Sequence, residues 1–162
     1  MYNASLENNL ISSDIVSLMA DHCSIQLDID ETKIKSAAKV AQDLDLKRVI
    51  KQENLDRCIN PDGEADEELR DLVIPAWCYF TYARCLKMFQ GTLTDGGYVV
   101  EGEAESRNAA KSAANEMSSI AEVYLASVVE FLEEEDPATE VTAENINPRV
   151  RVFGGEENRA TN

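Results

Sequence analysis

The stretch from Leu69 to Phe89 constrains the fold of this chain more tightly than any other. Leu69, Leu72, Val73, Ala76, Trp77, Phe80 and Ala83 recur at helical steps and make one apolar stripe, and Cys78, Tyr82, Cys85 and Phe89 make a second. A helix that is apolar on most of its circumference must be surrounded by other elements. The segment is therefore expected to be the central helix of a bundle, and the 162 residues of the chain suffice for one domain whose core needs no metal or disulfide staple. Pro75 lies inside the segment, where its missing amide donor and its ring predict a kink near Leu72.

The elements around that helix follow from similar signals. Ser12-Ser13-Asp14 places acceptor side chains ahead of Ile15, Val16, Leu18 and Met19, predicting a short first helix to about Ala20. Asp30-Glu31-Thr32 opens a second helix with Ile34, Ala37, Ala38, Ala41 and Leu44 on one face. Leu46, Val49, Ile50, Leu55 and Ile59 predict a further helical stretch, stopped by the turn Asn60-Pro61-Asp62-Gly63. Strand formers flank Asp95-Gly96, which predicts a small hairpin over Thr92–Val100 that either places Asp95 and Tyr98 to touch a neighbouring subunit or is a mere connector.

The longest helix is expected from about Glu103 to Glu135. Ala110, Ala114, Met117, Ala121, Tyr124, Val128 and Phe131 form its stripe, flanked by Ala113, Ile120, Leu125 and Leu132, and small residues at its start permit close helix approach. Glu133-Glu134-Glu135-Asp136 opposes the helix dipole and should fray the last turn unless a neighbour supplies cations. Beyond Pro137 the chain is polar, with Gly154-Gly155 and one apolar cluster, too little to offset its own ordering entropy. Such a tail either folds back on its own domain or docks on another chain, with Val150, Val152 and Phe153 as apolar anchors and Arg149 and Arg151 as charges. The expected fold is mainly α: a helical bundle over residues 1–136 with a long C-terminal helix and a small β-hairpin insertion, then an extended tail over 137–162.

Charge narrows the function. A formal net charge of −16 excludes general nucleic acid binding, which depends on Lys and Arg displacing counterions. The charge is polarised, because residues 33–51 hold Lys33, Lys35, Lys39, Lys47, Arg48 and Lys51 against Asp43 and Asp45, whereas residues 62–71 and 101–140 are strongly acidic. Lys33, Lys35, Lys39, Lys47 and Arg48 are thus candidates for an inter-subunit contact, the alternative being a solvated helix face. No apolar run is long enough to span a bilayer and the opening residues lack signal-peptide character, so a soluble protein made in a cytoplasm is expected.

Chemistry-bearing patterns are missing from the sequence. His22 is the single histidine, and no nucleophile elbow, HExxH, Walker loop or GxGxxG occurs. Asp28-Ile29-Asp30-Glu31 lacks the glycine and closing glutamate of a calcium loop. Cys23, Cys58, Cys78 and Cys85 match no zinc-site spacing with His22 and read as reduced core residues. The expectation is a non-enzymatic protein with no cofactor and no metal.

The order of elements is similar to a known group. The Ala41-Gln42-Asp43 helix, the Pro75-Ala76-Trp77-Cys78-Tyr79 central helix, Asp95-Gly96-Gly97, the Ala121-Glu122-Val123-Tyr124-Leu125 long helix ending in Phe131-Leu132, and the polar tail resemble the head-to-tail connector proteins of tailed bacteriophages. The likeness is greatest to neck ring proteins of crAss-like phages and covers roughly residues 10–136. It implies a virion protein, assembled in the bacterial host cytoplasm, that forms a ring, usually dodecameric, below the portal protein. The ring bridges to further neck or tail proteins and helps retain packaged DNA, which passes its channel without specific binding; the C-terminal segment docks on the portal. From a different class comes the alternative of an acidic regulatory protein that mimics DNA and occupies a nucleic-acid-binding partner.

Overall fold

The computed structural model of the protein describes residues 10–23, 30–89, 91–94, 97–100 and 104–135. Helix α1 (Ile15–Cys23) starts where the acceptor side chains stand. The Ser12 hydroxyl accepts from the Asp14 amide at 3.2 Å, and the Asp14 carbonyl accepts the first helical bond, from the Leu18 amide at 3.0 Å. The helix runs three residues past Ala20 and buries Ile15 and Met19.

Helix α2 (Glu31–Ala41) is capped by Asp30, whose carboxylate accepts from the Thr32 amide at 2.9 Å. Ile34, Ala37, Ala38 and Ala41 are buried as their spacing predicts. Leu44, the last member of the expected stripe, is not buried: it is 56% exposed. The cause is a π-helical turn over Gln42–Leu46, whose wider winding inserts an extra residue and shifts the face that meets the core. Leu46 and Gln42 turn inward instead, and the Gln42 side-chain carbonyl accepts from the Ile11 amide at 3.1 Å.

Helix α3 (Lys47–Ile59) buries Val49, Ile50, Leu55 and Cys58 and is broken internally at Lys51, with φ 64° and ψ 167°. After the turn, Gly63 precedes the next helix with φ 113° and ψ 176°, a conformation only glycine adopts readily. No atom would meet a Cβ there, so backbone strain and not space excludes other residues.

Helix α4 (Glu64–Met88) is the central helix, 25 residues long and continuous through Pro75. Glu64, Asp66 and Glu67 sit in its first turn, where the helix dipole favours anions. Trp77 is fully buried, and its indole N–H donates to the Ala38 carbonyl at 3.0 Å, where α2 passes into the π-turn. Cys78 and Cys85 of the second stripe are buried, and Tyr82 and Phe89 pack partly buried against the same core. Strands β1 (Gly91–Thr94) and β2 (Gly97–Val100) pair antiparallel, with Gly91 opposite Val100 and Leu93 opposite Tyr98.

Helix α5 (Ala104–Glu135) has 32 residues and returns along α4 in the most extensive helix contact of the molecule. At about 1.5 Å per residue it is a rod of roughly 48 Å. Ala114, Ala121, Leu125, Val128, Val129 and Leu132 bury against the core. Tyr124 of the expected stripe is 41% exposed, because its ring lies on the rim, stacked on Tyr79 with centroids 5.7 Å apart. Arg107, Asn108, Ala109, Lys111 and Ser112 are exposed, so the start of the rod stands clear of the core. Among the described residues, no helix is long and apolar enough to cross a membrane.

Candidate functional site

The basic residues expected to form an inter-subunit face are spread over α2 and α3, and all but Lys47 engage their own chain. Lys35 Nζ lies 2.9 Å from Glu31 Oε1, and Lys39 Nζ 2.7 Å from Asp43 Oδ1. The Lys33 ammonium stands 5.7 Å from the centroid of the Phe89 ring. Arg48 Nη2 reaches Glu122 Oε1 on α5 at 3.6 Å, while Lys47 is exposed. Tyr98 takes a backbone position in β2. Asp95 and the tail residues Arg149, Val150, Arg151, Val152 and Phe153 lie outside the described residues.

Two arginines lock the helices together. Arg84 of α4 grips Asp45 of the π-turn with bonds of 2.7 and 2.9 Å to its two oxygens. Arg57 of α3 joins three elements: its Nε donates to Asp66 at 2.6 Å, and its two terminal nitrogens donate to Glu135 at 2.9 and 3.0 Å. Asp66 also accepts from the Asp62 amide at 3.1 Å, which stitches the turn to the start of α4. Hydrogen bonding to Arg57, then to that amide, holds the Asp66 carboxyl below the usual carboxylate range. The acidic end of α5, expected to fray unless a neighbour supplied cations, receives one from its own chain. Glu122 behaves oppositely: burial raises its carboxyl, and Arg48 offsets this only in part.

The bundle has a differently charged groove at its other end. Lys87, in the last turn of α4, joins Arg107, Asn108, Lys111 and Asn115 of α5 around an open groove of about 370 Å³. No carboxylate among the described residues pairs with these three cations. The groove is invisible in the linear charge pattern, because Arg107 and Lys111 sit in a strongly acidic stretch and Lys87 comes from another helix. The one available signal is helical spacing, which puts residues 107 and 111 one turn apart on one face. At the opposite end Glu64, Glu67, Glu68, Glu133 and Glu134 are all exposed.

Nucleophilic chemistry finds no support in the thiols. All four cysteines are free. Burial raises Cys23 and Cys85 to about 11 and Cys58 to about 12, and it raises Cys78 further, so each is a neutral thiol at physiological pH. Among the described residues no three His, Cys, Asp or Glu side chains are grouped to hold a metal ion. His22 is exposed and offers its backbone carbonyl to the Tyr79 hydroxyl at 3.0 Å. The arrangement is an interlocked helical bundle with a cationic groove at one end and exposed carboxylates at the other.

No curated protein and no solved structure matches the chain. A family model matches residues 35–149, a span that holds most of α2, the π-turn, α3, α4 and α5. By that match, which covers well over half of the chain, the protein belongs to the family described as a family of unknown function (DUF6712).

Proposed function

We propose that this protein is a structural, non-enzymatic connector of tailed bacteriophages, a neck ring protein that binds the portal and bridges head to tail. The carrying observation is a helical bundle whose longest helix leads directly into a polar segment with few apolar anchors. In this reading the bundle forms the wall of a dodecameric ring, and residues 137–162 dock on the portal through Val150, Val152 and Phe153, with Arg149 and Arg151 beside them. A net charge of −16 suits a channel through which packaged DNA passes without sticking.

The test is to mix the protein with its portal and look for rings by electron microscopy; absence of rings counts against the reading. Deleting residues 137–162 should leave the helical signal of the bundle intact by circular dichroism and abolish portal binding. Phe153→Ala should weaken binding by about 1 to 3 kcal/mol if the ring fills a pocket. The DNA-mimic alternative draws on the same negative charge but gives the cationic groove at Lys87 no task, and competition with DNA for a nucleic-acid-binding partner separates the two readings.

A further inference from the structure

We propose that copies of this protein associate head to tail, with the groove of Lys87, Arg107 and Lys111 on one copy receiving the acidic end of the next. Each copy carries −16, so two copies repel unless they meet where the sign of the surface changes. The groove is such a place. Its cations have no carboxylate partner among the described residues, and Asn108 and Asn115 add amide donors around about 370 Å³ of open space.

The complementary surface lies on the same chain. Glu64, Glu67 and Glu68 project from the first turns of α4 at helical spacing, exposed and unencumbered by the Arg57 network, which uses Asp66 and Glu135 instead. Glu133 and Glu134 of α5 extend that acidic end. Groove and acids sit at opposite ends of a 25-residue helix, roughly 30 to 35 Å apart. Side-by-side antiparallel pairing would also match the ends, but it would press together flanks that carry exposed Asp71, Glu116 and Glu130. End-to-end contact avoids that repulsion. It is heterologous, so it propagates from copy to copy and closes into a ring when the rotation per copy allows.

This contact supplies the inter-subunit joint of the ring proposed above and rests on that reading for closure, but the pairing itself is measured without a portal. Two charge-reversed proteins make the test: Lys87→Glu with Arg107→Glu and Lys111→Glu, and Glu64→Lys with Glu67→Lys and Glu68→Lys. Circular dichroism checks that both stay folded. In sedimentation at low salt the natural protein should grow beyond a dimer with concentration, and raising salt should weaken the association about tenfold or more. Either variant alone should remain monomeric, and mixing the two should restore assembly. Lys33→Glu with Lys47→Glu should leave assembly unchanged. A natural protein that stays monomeric, a species that stops at the dimer, or folded variants that fail to assemble on mixing would each overturn the proposal. Portal-templated rings without rescue on mixing would remove this contact and leave the connector reading standing. Rescue on mixing without portal binding would do the reverse.

Discussion

At the residue scale, the balance between burial and pairing decides what each charge contributes. Glu122 shows burial winning: its side chain is 16% exposed, and Arg48 at 3.6 Å is too far for a strong bond. A carboxyl raised above its usual value near 4.5 contributes stability that is complete below that value and is lost as pH rises through the folded one. Glu122→Gln should therefore raise the urea midpoint at pH 7, and the gain should vanish once the medium is acidified below that usual value. Asp66 has the opposite sign, since Arg57 holds its carboxyl down; its share is in place at neutral pH and lost as the medium is acidified past 3.8 and through the depressed value. A preserved gain for Glu122→Gln at acid pH would refute the burial account. Neither pairing is legible in the sequence, because the partners come from distant elements.

At the scale of elements, local signals read well where chemistry is local and fail where the core imposes a change of winding. The Asp30 cap, the buried face of α2 and the apolar stripes of α4 follow from spacing and side-chain type alone. The π-turn does not: Gln42-Asp43-Leu44-Asp45-Leu46 carries no marker of an extra residue, and Leu44 fits the α-helical stripe until the Gln42 side chain and the Asp45–Arg84 pair claim their places. Lys51 is a second such position. Its φ of 64° and ψ of 167° lie in a region that costs a side-chain-bearing residue on the order of 1–3 kcal/mol. Lys51→Gly should raise stability by about 1 kcal/mol once the entropy cost of glycine is deducted, whereas Lys51→Val should lower it. Chemical denaturation of the three proteins side by side measures both, and a destabilised glycine variant would show that the backbone there is not strained. The comparison is sharpened by Gly63, where the sequence already provides the residue its backbone needs.

At the scale of the whole molecule, the basic segment over residues 33–51 is legible in the sequence and the groove is not, because a linear count sees neighbours along the chain and not across a groove. Folding spends Lys35 and Lys39 on carboxylates of their own helix or the turn after it and leaves Lys87, Arg107 and Lys111 facing one another. The Arg57–Glu135 bond joins groups 78 residues apart, and that separation has a kinetic meaning. Closing the loop that brings Glu135 to Arg57 must wait until α5 has settled along α4, because Glu135 lies at the far end of α5 and Arg57 on the other side of α4 in sequence. The bond is then a clasp fastened after the barrier has been crossed. Glu135→Ala, which removes this bond and leaves Arg57 on Asp66, should leave the refolding rate nearly unchanged and speed unfolding about five- to tenfold, as stopped-flow chevrons will measure; a slowed refolding limb would place the clasp inside the nucleus. A protein with such a clasp resists opening for longer than its equilibrium stability alone would give, and its lifetime depends on one guanidinium.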